Sequence, residues 1–330
     1  MRAVAPGPCA SSVQARRRWE LSAAPELVVA DLSRDFALHP AVAKVLANRG
    51  VTVESASEFL SPSLDTQWRD PDTLPGMAEA ADAVASAVAC GRRIIVFGDF
   101  DVDGITAVAV TSRGLEAMGA SVVPLVPHRF REGYGLTAAS VCRISSYVPD
   151  LVITVDCGIG CAAEVAELRR HGVSVVVTDH HEPGEGIPEG VPVTDPKLGD
   201  YPFQELAGAG VALKLVQAVG ARLGHPDVWR DLVDLAALGT LADVVPLLDE
   251  NRALVSAGLH RMRTATRPCI AALCEVAGVL PERLDASSVV FGMTPRLNAA
   301  GRMADPSISL DLMLCDDSLR CSVTATELDR

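Results

Sequence analysis

Apolar and polar positions follow one another along the chain in blocks that predict strands alternating with helices. Five short runs rich in β-branched residues have the length and composition of buried strands. They cover residues 93–98, 121–126, 151–155, 174–178 and 191–194. Between most of them, apolar residues recur at helical spacing. This alternation predicts an α/β fold with a doubly wound, mostly parallel sheet and flanking helices.

The helical pattern continues well beyond the last predicted strand. The predicted helices cover residues 106–118, 137–146, 161–171, 208–223, 228–241, 251–263 and 267–277. Two of them, 208–223 and 228–241, are apolar almost all round, so we expect them to be largely buried. Residues 307–330 have the pattern of one further, unfinished helix.

These patterns divide the chain into four segments. Residues 1–37 begin with a Pro-, Ala- and Arg-rich stretch without period and are expected to form a loose tail. Residues 38–90 predict a small helical lead-in, and residues 91–306 carry the alternating strands and helices of the α/β domain. Residues 307–330 predict the start of a linker helix.

Composition narrows the class of protein. The net charge of -13 argues against a broad basic surface, so any contact with nucleic acid needs a local basic groove. No apolar run approaches the roughly 20 residues that span a bilayer, and the first residues lack the apolar stretch of a secretory signal. Nine scattered cysteines do not form a disulfide framework. We therefore expect no membrane association and a cytoplasmic location.

Three carboxylates follow the first predicted strand. Asp99, Asp101 and Asp103 stand at alternate positions directly after residues 93–98. The carboxyl ends of strands are where open α/β sheets bind their ligands. Unpaired carboxylates this close together repel one another, and a divalent cation neutralises them. The alternative is a solvated acidic turn that caps the next helix.

Further acids and two histidines end other predicted strands. Asp156 follows residues 151–155, and Asp179, His180 and His181 follow residues 174–178. Asp243 is a single charge in an apolar segment, where a metal is a better partner than a cap or an ion pair. Mixed carboxylate and imidazole ligands suit Mn²⁺, Fe²⁺, Co²⁺ or Zn²⁺ better than Ca²⁺. There are enough ligands for two metals with one bridging acid.

Taken in order, these stretches resemble the four motifs of the DHH phosphoesterase superfamily. The motifs are GDFDVDG at 98–104, DCG at 156–158, DHH at 179–181 and GTLADVVPL at 239–247. Within the superfamily, three further stretches resemble the RecJ family of single-strand-specific exonucleases. They are NRG at 48–50, REGYGL at 131–136 and TPRLNAAGR at 294–302. The resemblance covers roughly residues 38 to 310.

The resemblance implies a set of metal ligands. Two divalent ions, Mn²⁺ by preference or Mg²⁺, would be bound by Asp101, Asp103, Asp156, His180 and Asp243. Asp156 would bridge them, and the metals would lower the pKa of the water that attacks phosphorus.

Further site residues are implied in the same way. Asp99 and Asp179 would orient the ligands. His181 would lie close to the scissile phosphate as a general acid or a stabiliser of developing charge. Arg296, Asn298 and Arg302 would contact phosphates, with the arginines acting through their bidentate fork. The alternative for the two arginines is an ion pair at the start of a helix.

The implied reaction removes 5′-mononucleotides from single-stranded DNA in the 5′ to 3′ direction, in DNA repair and recombination. Its partners would be the 5′ end of the strand and a helicase or single-strand-binding protein. Relatives continue into a second α/β domain (DHHA1) and an OB-fold, whereas this chain stops at Arg330. It is therefore expected to be a fragment or a shortened protein.

Two other interpretations stay open. A DHH phosphodiesterase could act on short oligonucleotides or cyclic dinucleotides. A truncated or non-catalytic DHH domain could serve as a scaffold in a replication complex, although every expected motif acid is present.

Overall fold

The computed structural model of the chain describes residues 22–184, 186–303 and 305–330, with the side chains of residues 302 and 303 outside the description. The chain divides into two units, Met1–Leu60 and Ser61–Arg330. The first unit, described from residue 22, has its own small core, in which Leu32 and Ala43 are fully buried. Its helices are α1 (Glu26–Asp35), α2 (Pro40–Asn48) and α3 (Val53–Leu60).

A five-stranded sheet lies at the centre of the second unit. Its strands are β1 (Arg93–Gly98), β2 (Ser121–Leu125), β3 (Leu151–Val155), β4 (Ser174–Thr178) and β5 (Val193–Thr194). Their order across the sheet is β2-β1-β3-β4-β5, and every neighbouring pair is parallel. The order reverses direction between β1 and β3, where doubly wound sheets bind ligands. The predicted α/β fold is confirmed.

Helices cover both faces of this sheet. Those before β5 are α4 (Leu64–Gln67), α5 (Met77–Ala89), α6 (Val102–Ala117), α7 (Arg129–Glu132), α8 (Ala138–Ser146) and α9 (Ala162–Arg170). Those after β5 are α10 (Gly208–Leu223), α11 (Val233–Ala242), α12 (Asp249–Thr264), α13 (Pro268–Ala277), α14 (Ala286–Ser288), α15 (Thr294–Met303), α16 (Ser307–Leu314) and α17 (Ser318–Leu328). Shorter turns are the 3₁₀ segments Pro71–Thr73, Val228–Leu232 and Pro281–Arg283 and a π-helical turn at Val289–Met293.

Alternate residues of β1 divide the core between the two faces. Ile94 and Val96 pack with α5, α6 and α10, whereas Ile95 and Phe97 pack with α8 and α9. Helices α10 and α11 are almost completely buried, as their apolar patterns predict. No helix in the described part of the chain is long and apolar enough to cross a membrane.

The segment boundaries differ from those predicted. The tail expected through residue 37 contains helix α1, so that prediction is wrong for Glu26–Asp35; residues 1–21 lie outside the described residues. The lead-in expected at 38–90 is split, because the first unit ends at Leu60 and α5 belongs to the core around the sheet. Apolar residues at helical spacing predict a helix, but they do not predict which hydrophobic core that helix packs in.

Two predicted helices are also divided. The segment 228–241 begins with a 3₁₀ turn before α11 starts at Val233. The segment 307–330 forms α16 and α17, which are separated where Cys315 adopts an extended backbone. Both helices bury residues, including Leu312 and Cys321, in the same core as the sheet, and the start of a linker in this segment stays a prediction.

Candidate metal centre

Acidic residues follow three adjacent strands at one edge of the sheet. Asp99 follows β1, Asp156 follows β3 and Asp179 follows β4. The last residues of these strands are neighbours in the parallel register, so the three side chains enter one region. All three are buried, as is His180, which follows Asp179. The convergence predicted from the strand ends is present.

His180 lies at the centre of the carboxylates. Its Nε2 is 3.0 Å from Oδ1 of Asp156 and 3.7 Å from Oδ2 of Asp103, and its Nδ1 is 3.9 Å from Oδ2 of Asp243. Asp103 comes from the first turn of α6, and Asp243 is the C-cap of α11. Three of the predicted carboxylate ligands therefore lie within 3.9 Å of His180, the fourth predicted ligand.

The ligand atoms form two overlapping groups in the described residues. Asp103, His180 and Asp243 form one, and Asp156, His180 and His181 form the other, with each group's atoms within 4.8 Å of one another. Asp101, the fifth predicted ligand, is in neither group. Its Oδ1 accepts a hydrogen bond from the backbone N–H of Gly104 at 3.0 Å and caps α6.

The backbone holds Asp103 and Asp156 firmly. The N–H groups of Gly208 and Ala209 donate to the carboxylate of Asp103 at 2.7 and 3.0 Å, so the N-terminus of α10 stabilises its charge. Asp156 has a φ of 57°, a left-handed conformation that non-glycine residues adopt mainly where structure demands it. A Cβ on Gly208 would lie 2.4 Å from Oδ1 of Asp156, so this approach requires glycine.

Burial and mutual repulsion raise the pKa of the acids. The pKa of Asp103 rises to about 8 and that of Asp243 to about 6, in each case chiefly through burial and then through neighbouring carboxylates. Burial, followed by the charge of Asp103, raises the pKa of Asp156 well above its ordinary value. Burial lowers the pKa of His180 to about 4, so this imidazole is neutral at pH 7 and can donate a lone pair.

The donor set fits divalent cations. Oδ1 of Asp156 is buried without a hydrogen bond from any described residue, since its contact with His180 lacks hydrogen-bond geometry. Buried carboxylate oxygens normally have a partner, and a cation bound here would supply one. Neutral imidazole with carboxylates is a ligand set typical of Mn²⁺ and related ions.

Asp99 and Asp179, the two residues expected to orient ligands, differ in environment. Oδ1 of Asp179 lies 2.7 Å from Nδ1 of His181 and accepts from the backbone N–H of His180 at 2.8 Å, while Oδ2 accepts from Ile159 N–H at 2.9 Å. Burial opposes ionisation of Asp179, but these hydrogen bonds, led by that of His181, lower its pKa. For Asp99, burial and the charge of Asp101 outweigh the neighbouring donors and raise its pKa to about 6.

His181 is the exposed member of the pair of histidines. The hydrogen bond with Asp179 raises its pKa to about 8, so its ring carries a proton at neutral pH. Its Nε2 lies 3.5 Å from the hydroxyl of Tyr134. A protonated imidazole at the rim of a metal centre can donate a proton to a leaving oxygen.

Tyr134 and Arg129 adjoin the centre but were not among the predicted site residues. The ring of Tyr134 meets that of Phe100 edge-to-face at 5.7 Å, and the guanidinium of Arg129 lies 5.3 Å from the Phe100 centroid. Phe130, the next residue of α7, is exposed. The sequence signal for Tyr134 was the stretch REGYGL at 131–136, which resembles the family but to which no role was assigned.

The guanidinium of Arg296 contacts neighbouring parts of the protein. Its Nε lies 2.7 Å from Oδ1 of Asp329, and its other two nitrogens donate to the carbonyl oxygens of Gly292 and Val276. The structure therefore contains the ion pair that was the alternative for Arg296, while its contact with a phosphate stays a prediction.

The other two predicted phosphate residues follow Arg296 in α15. Asn298 is half-buried, and the side chain of Arg302 lies outside the described residues. A Cβ on Gly301 would lie 3.4 Å from the carbonyl oxygen of Phe100, so this end of α15 is next to the loop between Asp99 and Asp101.

Comparison with known proteins agrees with this geometry. Residues 93–240 match a family model described as DHH family, N-terminal domain. The single-stranded-DNA-specific exonuclease RecJ of Bacillus subtilis (strain 168) is 38% identical over 318 residues, covering 96% of this chain and 40% of that protein. RecJ of Thermus thermophilus is 42% identical over 262 residues, covering 78% and 38% respectively.

Solved structures are similar as well. The crystal structure of RecJ in complex with Mn²⁺ from Thermus thermophilus has a TM-score of 0.80 at 37% identity and covers 93% of this chain and 44% of that one. A crystal structure of exonuclease RecJ bound to manganese has a TM-score of 0.72 at 42% identity, covering 77% and 65%. The chain spans about two fifths of the length of both curated relatives. Over residues 93–240 the chain matches the N-terminal domain of the DHH family.

Proposed function

We propose that this chain is the catalytic part of a two-metal exonuclease that degrades single-stranded DNA from the 5′ end and releases 5′-mononucleotides. The observation that carries the proposal is the convergence of Asp103, Asp156, His180 and Asp243 at the carboxyl edge of the sheet. The similarity to RecJ exonucleases narrows the substrate from phosphodiesters in general to single-stranded DNA.

The proposed metal ligands are those four residues and Asp101. Asp101 keeps one carboxylate oxygen free of its helix cap, and its charge raises the pKa of Asp103 and Asp243, so it lies close enough to take part. We assign the bridging role to Asp156, because it is buried between strand ends and has an unpaired oxygen. Mn²⁺ or Mg²⁺ in this site would neutralise the carboxylates and lower the pKa of the attacking water.

His181 is proposed as the proton donor. Its imidazolium is held by Asp179 through Nδ1, so that Nε2, 3.5 Å from the hydroxyl of Tyr134, is the nitrogen that donates to the leaving oxygen. Asp99 is proposed to orient the acidic loop, since it is fully buried at the end of β1, two residues before Asp101.

Exposed aromatic and basic side chains beside His181 support a single-stranded substrate. Phe130 and Tyr134 offer faces on which unpaired bases can stack, and Arg129 and Arg131 offer charge to phosphates. Asn298 and Arg302 remain proposed phosphate contacts. Duplex DNA cannot use such faces, because its bases are already stacked on one another.

A cytoplasmic location and a helicase or single-strand-binding protein as partner belong to the same proposal. All eight cysteines in the described residues are free thiols, which agrees with a reducing compartment. A single strand must first be exposed from duplex DNA, which is the work of such partners.

Hydrolysis of a 5′-phosphorylated, 3′-labelled single-stranded DNA with Mn²⁺ tests the proposal, with a dinucleotide assayed beside it. Stepwise shortening from the 5′ end is expected. Cleavage of the dinucleotide alone would instead favour a phosphodiesterase for small substrates. No cleavage of either, by protein that binds Mn²⁺, would overturn the proposal for this chain.

A further inference from the structure

Two exposed apolar side chains adjoin the metal centre on the side of Asp243. Val244, the next residue, is 78% exposed, and Phe291 is 79% exposed. Both line a groove with a volume of about 220 Å³, together with Val245, Leu247 and Val290. None of the groove's lining residues is charged. The groove therefore suits the flat, apolar face of a ligand rather than its phosphate.

Unusual backbone conformations present both side chains. Val244 has a φ of 62°, in the left-handed region that β-branched residues rarely adopt. Phe291 lies in the π-helical turn Val289–Met293, whose first and last residues are buried. Strained residues and single π-helical turns occur mainly where function maintains them. Neither feature is needed to close the core, since both side chains face solvent.

Few aromatic side chains of the described residues are exposed to solvent. Among the described residues, the aromatic side chains that are more than half exposed are Phe130, Tyr134 and Phe291. Tyr134 reaches His181, and Phe291 shares its groove with the neighbour of Asp243. The exposed rings thus flank the acidic cluster at two different places, as a strand that passes through the centre would require.

We propose that Val244 and Phe291 form a base-binding site, in which Phe291 stacks on one base of the single strand whose phosphate lies at the metal centre. This proposal rests on the proposed function. A base brings an apolar face without charge, which matches the groove, and stacking on an aromatic ring tolerates any base sequence.

Binding of a fluorescent, phosphorothioate-linked single strand to the full chain with Mn²⁺ tests the site. Phe291→Ala is expected to weaken binding by about 5- to 160-fold, the range typical of losing one stacked base. Phe291→Trp should bind like the unmodified protein. Leu319→Ala is the matched control, because Leu319 is 75% exposed on α17, outside the groove.

Val244→Gly separates binding from folding. Glycine adopts the left-handed conformation without strain, so the variant should unfold at the same or a higher temperature while its strand affinity falls. Hydrolysis of a dinucleotide by Leu319→Ala should match that of the unmodified chain, because Leu319 lies outside the groove.

Strands with one abasic nucleotide identify the occupant. When the missing base is the one that stacks on Phe291, the Phe291→Ala variant and the unmodified protein should bind the strand with the same affinity. Equal affinity of both proteins for an intact strand would overturn the proposal. The proposal would also be overturned if Phe291→Ala lowered the affinity for a fully abasic strand as much as the affinity for an intact strand. That result would indicate that a protein segment, and not a base, fills the groove. If the unmodified chain hydrolyses neither substrate but Phe291→Ala still loses base-dependent binding, the proposed function fails and the base-binding site stands.

Discussion

Asp156 combines three unfavourable features at one residue. It is buried, it lies among other carboxylates, and its backbone is left-handed. An acid whose pKa is higher in the folded than in the unfolded state favours the fold when protonated. The metal-free fold therefore loses stability as the pH rises towards that higher pKa. Such a residue is costly unless a cation occupies the centre.

Asp156→Asn is accordingly expected to change stability and activity in opposite directions. Removing the charge should raise the melting temperature of the metal-free protein at pH 8. The same change should lower Mn²⁺-dependent hydrolysis by more than about 100-fold, beyond the usual effect of losing an outer-sphere partner. Calorimetry in EDTA and a nuclease assay measure the two effects. A lower melting temperature with unchanged activity would contradict the role of Asp156.

The affinity for Mn²⁺ should increase with pH. Asp103, with a pKa of about 8, and Asp243, with a pKa of about 6, must lose their protons before they ligate, whereas His180 is neutral above its pKa of about 4. Titration calorimetry at pH 6, 7 and 8 should give progressively tighter binding with release of protons. Affinity that is constant across this range would contradict the assignment of these acids as ligands.

The two arginines of α15 should behave differently. Arg296→Gln breaks the ion pair with Asp329 and two bonds to carbonyl groups, so it should destabilise the fold by about 1–3 kcal/mol with little change in DNA affinity. Arg302→Gln should weaken DNA binding and leave the affinity for Mn²⁺ unchanged. Urea unfolding and strand binding, measured on both variants, separate the two roles. Equal effects on DNA binding would contradict the distinction.

At the scale of elements, a buried ion pair joins α10 to α12. Nζ of Lys214 lies 2.7 Å from Oε1 of Glu250 and 3.9 Å from the centroid of the Trp68 ring, and both charged side chains are fully buried. The hydroxyl of Tyr201 donates to Oε2 of Glu250 at 2.6 Å. Burial lowers the pKa of Lys214 to about 8 despite this pair. These buried charged groups have their partners only when α10, α12 and the segment around Trp68 pack against one another.

Glu250→Gln should destabilise the second unit by about 3–5 kcal/mol, because it leaves the Lys214 charge buried without a counter-charge. The double variant Lys214→Met with Glu250→Gln should lose less stability than Glu250→Gln alone, since neither position then carries a buried charge. Urea unfolding followed by tryptophan fluorescence measures both, as Trp68 adjoins the pair. If the double variant is less stable than Glu250→Gln, the interpretation is wrong.

For the whole molecule, the net charge of -13 makes DNA binding depend on a few local cations. With Arg129, Arg131 and Arg302 on the strand, the logarithm of affinity should fall with the logarithm of salt concentration at a slope of about -2. Arg131→Gln should reduce this slope by about 0.7. A slope near zero would show that phosphate contacts contribute little, and that stacking carries the binding.

The sequence by itself determined the sheet and the position of the acids along it. Strand composition and period are local, and a parallel sheet brings residues that follow its strands to one edge whatever the helices do. Asp156, His180 and their neighbours could therefore be predicted as a candidate metal centre before their distances were known. Helices α10 and α11 were predictable for the same reason, because their apolar periods are continuous.

Only the tertiary structure decided which distant side chains meet. Arg296 is paired with a residue 33 positions later, and Tyr134 reaches a histidine 47 positions away. The division at Leu60 and the packing of α16 and α17 on the main core depend likewise on long-range burial. Such contacts follow from the angles and depths at which helices pack. Those are properties of the assembled core, and a local pattern of apolar positions does not encode them.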